Sequence, residues 1–152
     1  MNAFNIKKIG KRLVLLALLP LSIGFTGCGS SSDPNRLPVF PAKGQIAFKG
    51  KPANGAFVVL HPKKATGVNV VRPRAQVQED GTFLLSTYDA NDGAPVGEYK
   101  VTLELHNFIK NNNGDISRGP NVLPKQYDRP DTSPITVLIA EGENALPPIV
   151  LK

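Results

Sequence analysis

The sequence predicts an all-β fold, a single antiparallel Greek-key β-sandwich of about seven strands, carried behind an N-terminal leader and a flexible tether. Three observations point there. Pro and Gly each number 14 in 152 residues, a turn-rich balance. Short runs of alternating or continuous apolar residues recur between turn signals. Outside the leader, no window of a dozen residues carries a 3.6-residue period, so no helix is expected.

The leader comes first in the chain. Lys7, Lys8, Lys11 and Arg12 form a basic segment with no acid before Asp33, and the apolar run from Leu13 to Phe25 follows it. That is the pattern of a secretion signal. The run spans 13 residues and contains Pro20 and Gly24. A membrane-spanning helix needs about 20 apolar residues, so a permanent span is not expected.

Directly after it, Phe25-Thr26-Gly27-Cys28 holds the only cysteine of the chain. A lone thiol excludes an intrachain disulfide and the paired cysteines of zinc ribbons and thioredoxin-like sites. The four residues resemble the bacterial lipobox, with Phe25 where Leu is usual. The resemblance implies that Cys28 receives a diacylglycerol and becomes the first residue of the mature chain. Several acyl chains, at about 0.8 kcal/mol per buried CH₂, give stable anchoring. Residues 1–27 are thus expected to be the signal peptide, and the partner of Cys28 is a membrane. Gly29, in place of the Asp that favours inner-membrane retention, points to the outer membrane or cell surface of a bacterial envelope.

Residues 28–42, rich in Gly, Ser and Pro, are predicted to be a solvated tether. Four of the 18 basic residues lie in the leader, so the remainder exceeds the 12 acids by two. The pI of about 9.6 therefore reflects the leader. Lys63-Lys64 and Arg72-Pro73-Arg74 form no extended basic face, and no nucleic-acid partner is expected.

Residues 43–152 supply the strands. Gly44 to Lys49 alternates, with Ile46 and Phe48 on one side, and Gly50 to Gly55 is a turn. Ala56 to His61 is a nearly continuous apolar strand stopped by Pro62. Arg74 to Gln78 and Thr82 to Thr87 flank Asp80-Gly81, whose Gly supplies the positive φ of a hairpin turn. Gly97 to Leu105 alternates throughout, with Tyr99, Val101, Leu103 and Leu105 on one face. Ile135 to Ile139 and Ile149 to Leu151 close the set around a Glu-Gly-Glu-Asn turn and a Pro pair. Residues 107–118 are left as a long Asn- and Gly-rich loop, either a mobile insertion or a recognition loop.

These residues carry a resemblance. Gly44, Ile46, Phe48, Gly50-Lys51-Pro52, Gly55-Ala56 and Val58, then Asp80-Gly81 and Phe83, then Gly93-Ala94-Pro95, Gly97, Tyr99 and Val101-Thr102, are similar to the carboxypeptidase regulatory-like, transthyretin-related (prealbumin-like) sandwich domain. Leu123-Pro124, Tyr127, Thr132-Ser133-Pro134 and Gly142 to Pro148 resemble small envelope lipoproteins built on it. The resemblance implies a spacer or recognition module without the peptidase zinc site.

Residues capable of chemistry are present, but no arrangement names a reaction. His61 and His106 stand at strand ends, outside any paired-ligand motif, so no metal is expected. A cryptic hydrolase would have to assemble from them and carboxylates in space. Asp89, Asn91 and Asp92 before Gly93 have the oxygen-rich composition of a calcium loop, but the twelfth loop position falls on Lys100. Asx turn chemistry explains the same residues. No serine stands in a nucleophile motif, no phosphate loop precedes a helix, and no cofactor is expected. The expectation is a non-enzymatic envelope protein that binds or scaffolds a protein or glycan. Tyr88, Phe108 and Tyr127 are its candidate recognition cluster; the alternative is a purely structural surface module.

Overall fold

The computed structural model describes residues 36–64 and 70–152. The expected signal peptide, Cys28 and the first part of the expected tether lie outside the described residues. In chain order the strands are β1 (Ala42–Phe48), β2 (Lys51–Pro52), β3 (Phe57–Pro62), β4 (Arg74–Gln76), β5 (Thr82–Leu84) and β6 (Gly97–Glu104). They continue with β7 (His106–Lys110), β8 (Ile116–Asn121), β9 (Thr136–Ile139), β10 (Asn144–Ala145) and β11 (Ile149–Leu151). A 3₁₀ turn, Lys125–Tyr127, joins β8 to β9. The fold is all-β as expected, with more and shorter strands than the seven anticipated.

One sheet is antiparallel in the order β4-β3-β6-β9. The other is organised around β1, whose first half pairs with β5 and β10 and whose second half pairs with β2 and β11. Strands β10 and β11 run parallel to β1, a departure from the wholly antiparallel expectation. The cause is the turn after β9, which carries the chain across to the second sheet instead of back along the first. Asn144 clamps that turn: its side-chain oxygen accepts the Ala140 N–H at 2.9 Å, and its amide donates to the Ala140 and Gly142 carbonyls at 3.0 Å. Pro147 and Pro148 then separate β10 from β11, removing two donors where the strand shifts.

The Asp80-Gly81 turn forms as read, with Gly81 at φ 84° and the Asp80 carboxylate accepting the Thr82 N–H at 2.8 Å. The expected β4–β5 hairpin ladder does not. The two strands meet at the turn and again at Arg74 and Ser86; between these points β4 pairs with β3 and β5 with β1. Ala75 and Val77 on one side, and Phe83 and Leu85 on the other, enter the same core from opposite sheets. Splitting the hairpin buries both rows, which a flat ladder could not do.

The core lies between the sheets. Ile46, Val58, Leu60, Phe83, Leu85, Val101, Leu103, Ile139 and Leu151 are all fully buried. Each such side chain contributes about 1.5–3 kcal/mol relative to exposure. Strand β6 supplies Tyr99, Val101 and Leu103 from one face, as its alternation predicts, and the Tyr99 hydroxyl donates to the Pro95 carbonyl at 2.8 Å.

The tether ends earlier than the sequence suggests. Phe40 and Ala94 exchange backbone hydrogen bonds at 2.9 and 3.0 Å, and β1 already starts at Ala42. Gly93 makes this possible, because a Cβ there would lie 1.8 Å from the Phe40 carbonyl oxygen, at a φ of +99°. Residues 107–118 are likewise not an irregular loop: β7 and β8 form a hairpin with a bulge between His106 and Phe108. Its turn is closed by the Asn111 side-chain oxygen, which accepts the Asn113 and Asp115 N–H groups at 3.0 and 2.8 Å, while Gly114 takes φ 91°.

The Gly93 geometry has a measurable consequence. Gly93→Ala is expected to lower stability by about 3 kcal/mol through steric overlap with a backbone that cannot yield. Gly142→Ala, at φ 91° in open space, is expected to cost about 1 kcal/mol. Denaturant midpoints of the two variants check this; equal losses would show that the Phe40 pairing does not constrain Gly93.

Candidate functional site

The far end of β6, where Glu104 leads through Leu105 into β7, gathers the side chains that the core does not use. Register sets Phe57 of β3 opposite Glu104, and Phe108 of β7 opposite Arg118 of β8. The Arg118 guanidinium lies 5.6 Å from the centre of the Phe57 ring and donates to the Glu104 carboxylate at 3.2 Å. The same carboxylate oxygen is 3.0 Å from His106 Nε2, and His106 Nδ1 is 2.8 Å from the Gly119 carbonyl. Glu104 ends β6 and His106 opens β7, and their side chains meet across that junction; past the bulge between His106 and Phe108, it is pairing with Arg118 that brings Phe108 to the same groove.

The result is an open groove of about 730 Å³ whose lining includes Asn54, Phe57, Gln76, His106, Phe108 and Arg118. Phe57 is 45% exposed, Phe108 79%, and Ile116 near the hairpin tip 71%. Aromatic faces beside a fixed guanidinium and carboxylate suit non-covalent recognition. Among the described residues, no serine or cysteine lines the groove to act as a nucleophile, and no group of three His, Cys, Asp or Glu side chains is placed to hold a metal.

The expected cluster of Tyr88, Phe108 and Tyr127 does not assemble. Tyr127, on the 3₁₀ turn, is buried in the core. Tyr88 is half-buried near the start of β6, under the Arg36 guanidinium at 4.8 Å, and its hydroxyl accepts the Leu37 N–H at 3.0 Å. Phe108 alone is displayed, past the other end of the eight-residue β6, a strand about 25 Å long. The recognition reading therefore keeps Phe108 and exchanges the tyrosines for Phe57 and Arg118. The bulge before Phe108 breaks the alternation that would have tied it to Glu104 and His106, and the partners Phe57 and Arg118 depend on register, so no local pattern gives the group.

The histidines do not meet either. His61 is opposite Lys100, six residues before His106, a separation of about 20 Å along the extended chain from β6 into β7. That is too far apart for the two rings to share one metal ion. His61 Nε2 is 2.9 Å from the Thr102 hydroxyl, and burial, followed by the charge of Arg72, holds the ring's pKa below its usual value.

Asp89 to Gly93 is a self-bonded turn. The Asp92 carboxylate accepts backbone N–H groups from Thr87 at 2.6 Å and from Tyr88 and Asp89 at 2.9 Å. Asn91 takes φ 60° and donates its N–H to the Ser86 hydroxyl. Asp89 pairs instead with Arg36 at 3.0 Å. The carboxylate that would have to face a calcium ion is spent on its own loop.

No family model and no curated protein matches the chain. Among solved structures, a 9R-lipoxygenase from Cyanothece PCC8801 is similar over 79% of this chain at 10% identity, with a TM-score of 0.39. The match spans 18% of the lipoxygenase chain and carries no argument about activity.

The Asp92 clamp sets a pH dependence. Burial, the largest single influence, raises its pKa, but the backbone donors together outweigh it and hold the carboxyl below the usual range. The folded-state pKa is depressed, so the associated stability is present above the unfolded value near ~4 and is lost as pH falls through the folded value. Asp92→Ala is expected to cost about 2 kcal/mol at neutral pH and to flatten the acid limb of the stability profile. Denaturant titrations from neutral to acid pH check this; an unchanged acid limb would assign it to other carboxyls.

Proposed function

We propose that this chain is a lipid-anchored protein of the bacterial envelope, without catalytic activity, that binds a protein or glycan outside the cytoplasm. The basic leader, the 13-residue apolar run and the lipobox-like Phe25-Thr26-Gly27-Cys28 support the anchor. Gly29 supports placement at the outer membrane or cell surface. The turn and core motifs support a carboxypeptidase regulatory-like sandwich as the presenting scaffold.

The observation that carries the recognition reading is the groove of Phe57, Phe108 and Arg118. A two-stranded hairpin gains nothing in its own stability by exposing Phe108, Ile109 and Ile116 to water. Apolar groups held in place beside a pinned arginine make the composition that dominates binding surfaces. A purely structural module has no use for them.

Two measurements test this reading. Cys28→Ala is expected to abolish acylation, seen by intact mass, and to release the protein from membranes on fractionation; retained membrane association would contradict the anchor. For recognition, the acylated chain serves as bait against native envelope proteins and a glycan array. Phe108→Ser and Arg118→Ala are each expected to weaken the captured interaction roughly thirtyfold, about 2 kcal/mol. Undiminished binding by both variants would place recognition elsewhere.

A further inference from the structure

The chain enters the fold at the opposite end of β6 from the groove. Arg36 pairs with Asp89, Leu37 bonds to Tyr88, and Leu37 lines a second cleft of about 410 Å³ together with Pro62, Val70, Val71, Pro95 and Val96. Leu37 and Val96 are 52% and 53% exposed, so this end presents an apolar patch. Charged groups of both signs border it, Lys64 and Glu98 in the cleft lining among them. Lys63 pairs with Glu98 at 2.7 Å, whereas Lys64, in the cleft lining, and Arg72, next to Val71, are in no ion pair among the described residues.

We propose that this end is a membrane-seating face, lying against anionic lipid headgroups with Leu37 and Val96 at the apolar boundary. The proposal rests on the lipid-anchor reading. Two observations select a bilayer as the occupant. Eight residue steps separate Cys28 from Arg36, a reach of at most about 29 Å when fully extended and about 16 Å as a flexible coil. An acylated Cys28 therefore confines this end of the domain to the neighbourhood of the lipid surface. The second is complementarity: with Glu98 and Asp89 paired to Lys63 and Arg36, the charges left over beside the small apolar groups are Lys64 and Arg72, which suit an anionic interface, and the attraction is effective within a Debye length, about 8 Å at physiological salt. The consequence is orientation. The domain stands on this end, and the length of β6 holds the Phe57–Phe108 groove off the surface.

The test uses the full acylated chain in vesicles of mixed phosphatidylcholine and phosphatidylglycerol. Val96→Cys and Ile116→Cys, both exposed positions, carry a fluorophore, with Cys28 blocked by its own acylation. Lipids brominated on the acyl chains act as the quencher. Quenching is expected to be several-fold stronger at position 96 than at 116, and to fall at 96 with Lys64→Glu plus Arg72→Glu or in phosphatidylcholine alone. Equal quenching at both positions, or none at 96, in protein whose intact mass shows acylation would overturn the orientation and leave the anchor standing. A mass without lipid on Cys28 would instead overturn the anchor reading, and the proposal with it. Shielding of position 96 that rises with protein concentration in detergent would assign the face to a second copy of the chain and likewise overturn it.

Discussion

Strand β6 cannot be moved without dismantling the rest. Its inward row of Tyr99, Val101 and Leu103 is buried, and its backbone is paired with β3 on one side and β9 on the other. That pairing fixes which residues of β3 and β9 face inward, and so brings Val58, Leu60, Val137 and Ile139 into one core. It also fixes two ends. Tyr88, Leu37 and Val96 gather near Gly97, and Glu104 hands the chain to the hairpin that bears Phe108. The geometry available to a ligand or a membrane follows from the direction and length of one strand.

The second sheet is held differently. Strand β1 has four short partners, two per half, none longer than three residues. Such a sheet draws little from any single ladder, and its packing against β6 and β3 supplies the stability that the short pairings lack. Phe83 shows how closely it is fitted: a Cβ on Gly44 would come within 2.4 Å of its ring. Local clamps at Asp92, Asn144 and Asn111 then fix the turns. Each is made by a side-chain oxygen taking backbone N–H groups, the interaction that lets a turn-rich chain avoid unpaired donors.

Much of this was legible in the chain itself. Alternation marked β1 and β6, continuous apolar runs marked β3, β9 and β11, and the Asp80-Gly81 turn formed where turn chemistry placed it. What escaped was non-local. A turn looks the same whether its strands pair with each other or part into two sheets, so the split of β4 from β5 had no local sign. Parallel β10 and β11 depend on where the Asn144 turn sends the chain. The hairpin at 107–118 did carry a signal, Asn113-Gly114 between strand-forming Phe108-Ile109 and Ile116, which the surrounding asparagines obscured. Tyr127 reads as an exposed aromatic until Pro124 and the 3₁₀ turn direct it inward. Phe57 and Arg118 entered the site only through register.

One strand separates the groove at the hairpin from the apolar face where the chain enters. A spin–spin distance between labels at positions 96 and 108 in the full chain, with Cys28 acylated, reads that separation. A distance beyond about 20 Å is expected from the length of β6. A distance below about 10 Å would mean that the hairpin folds back on the entry end, and the separation of the two faces would be lost.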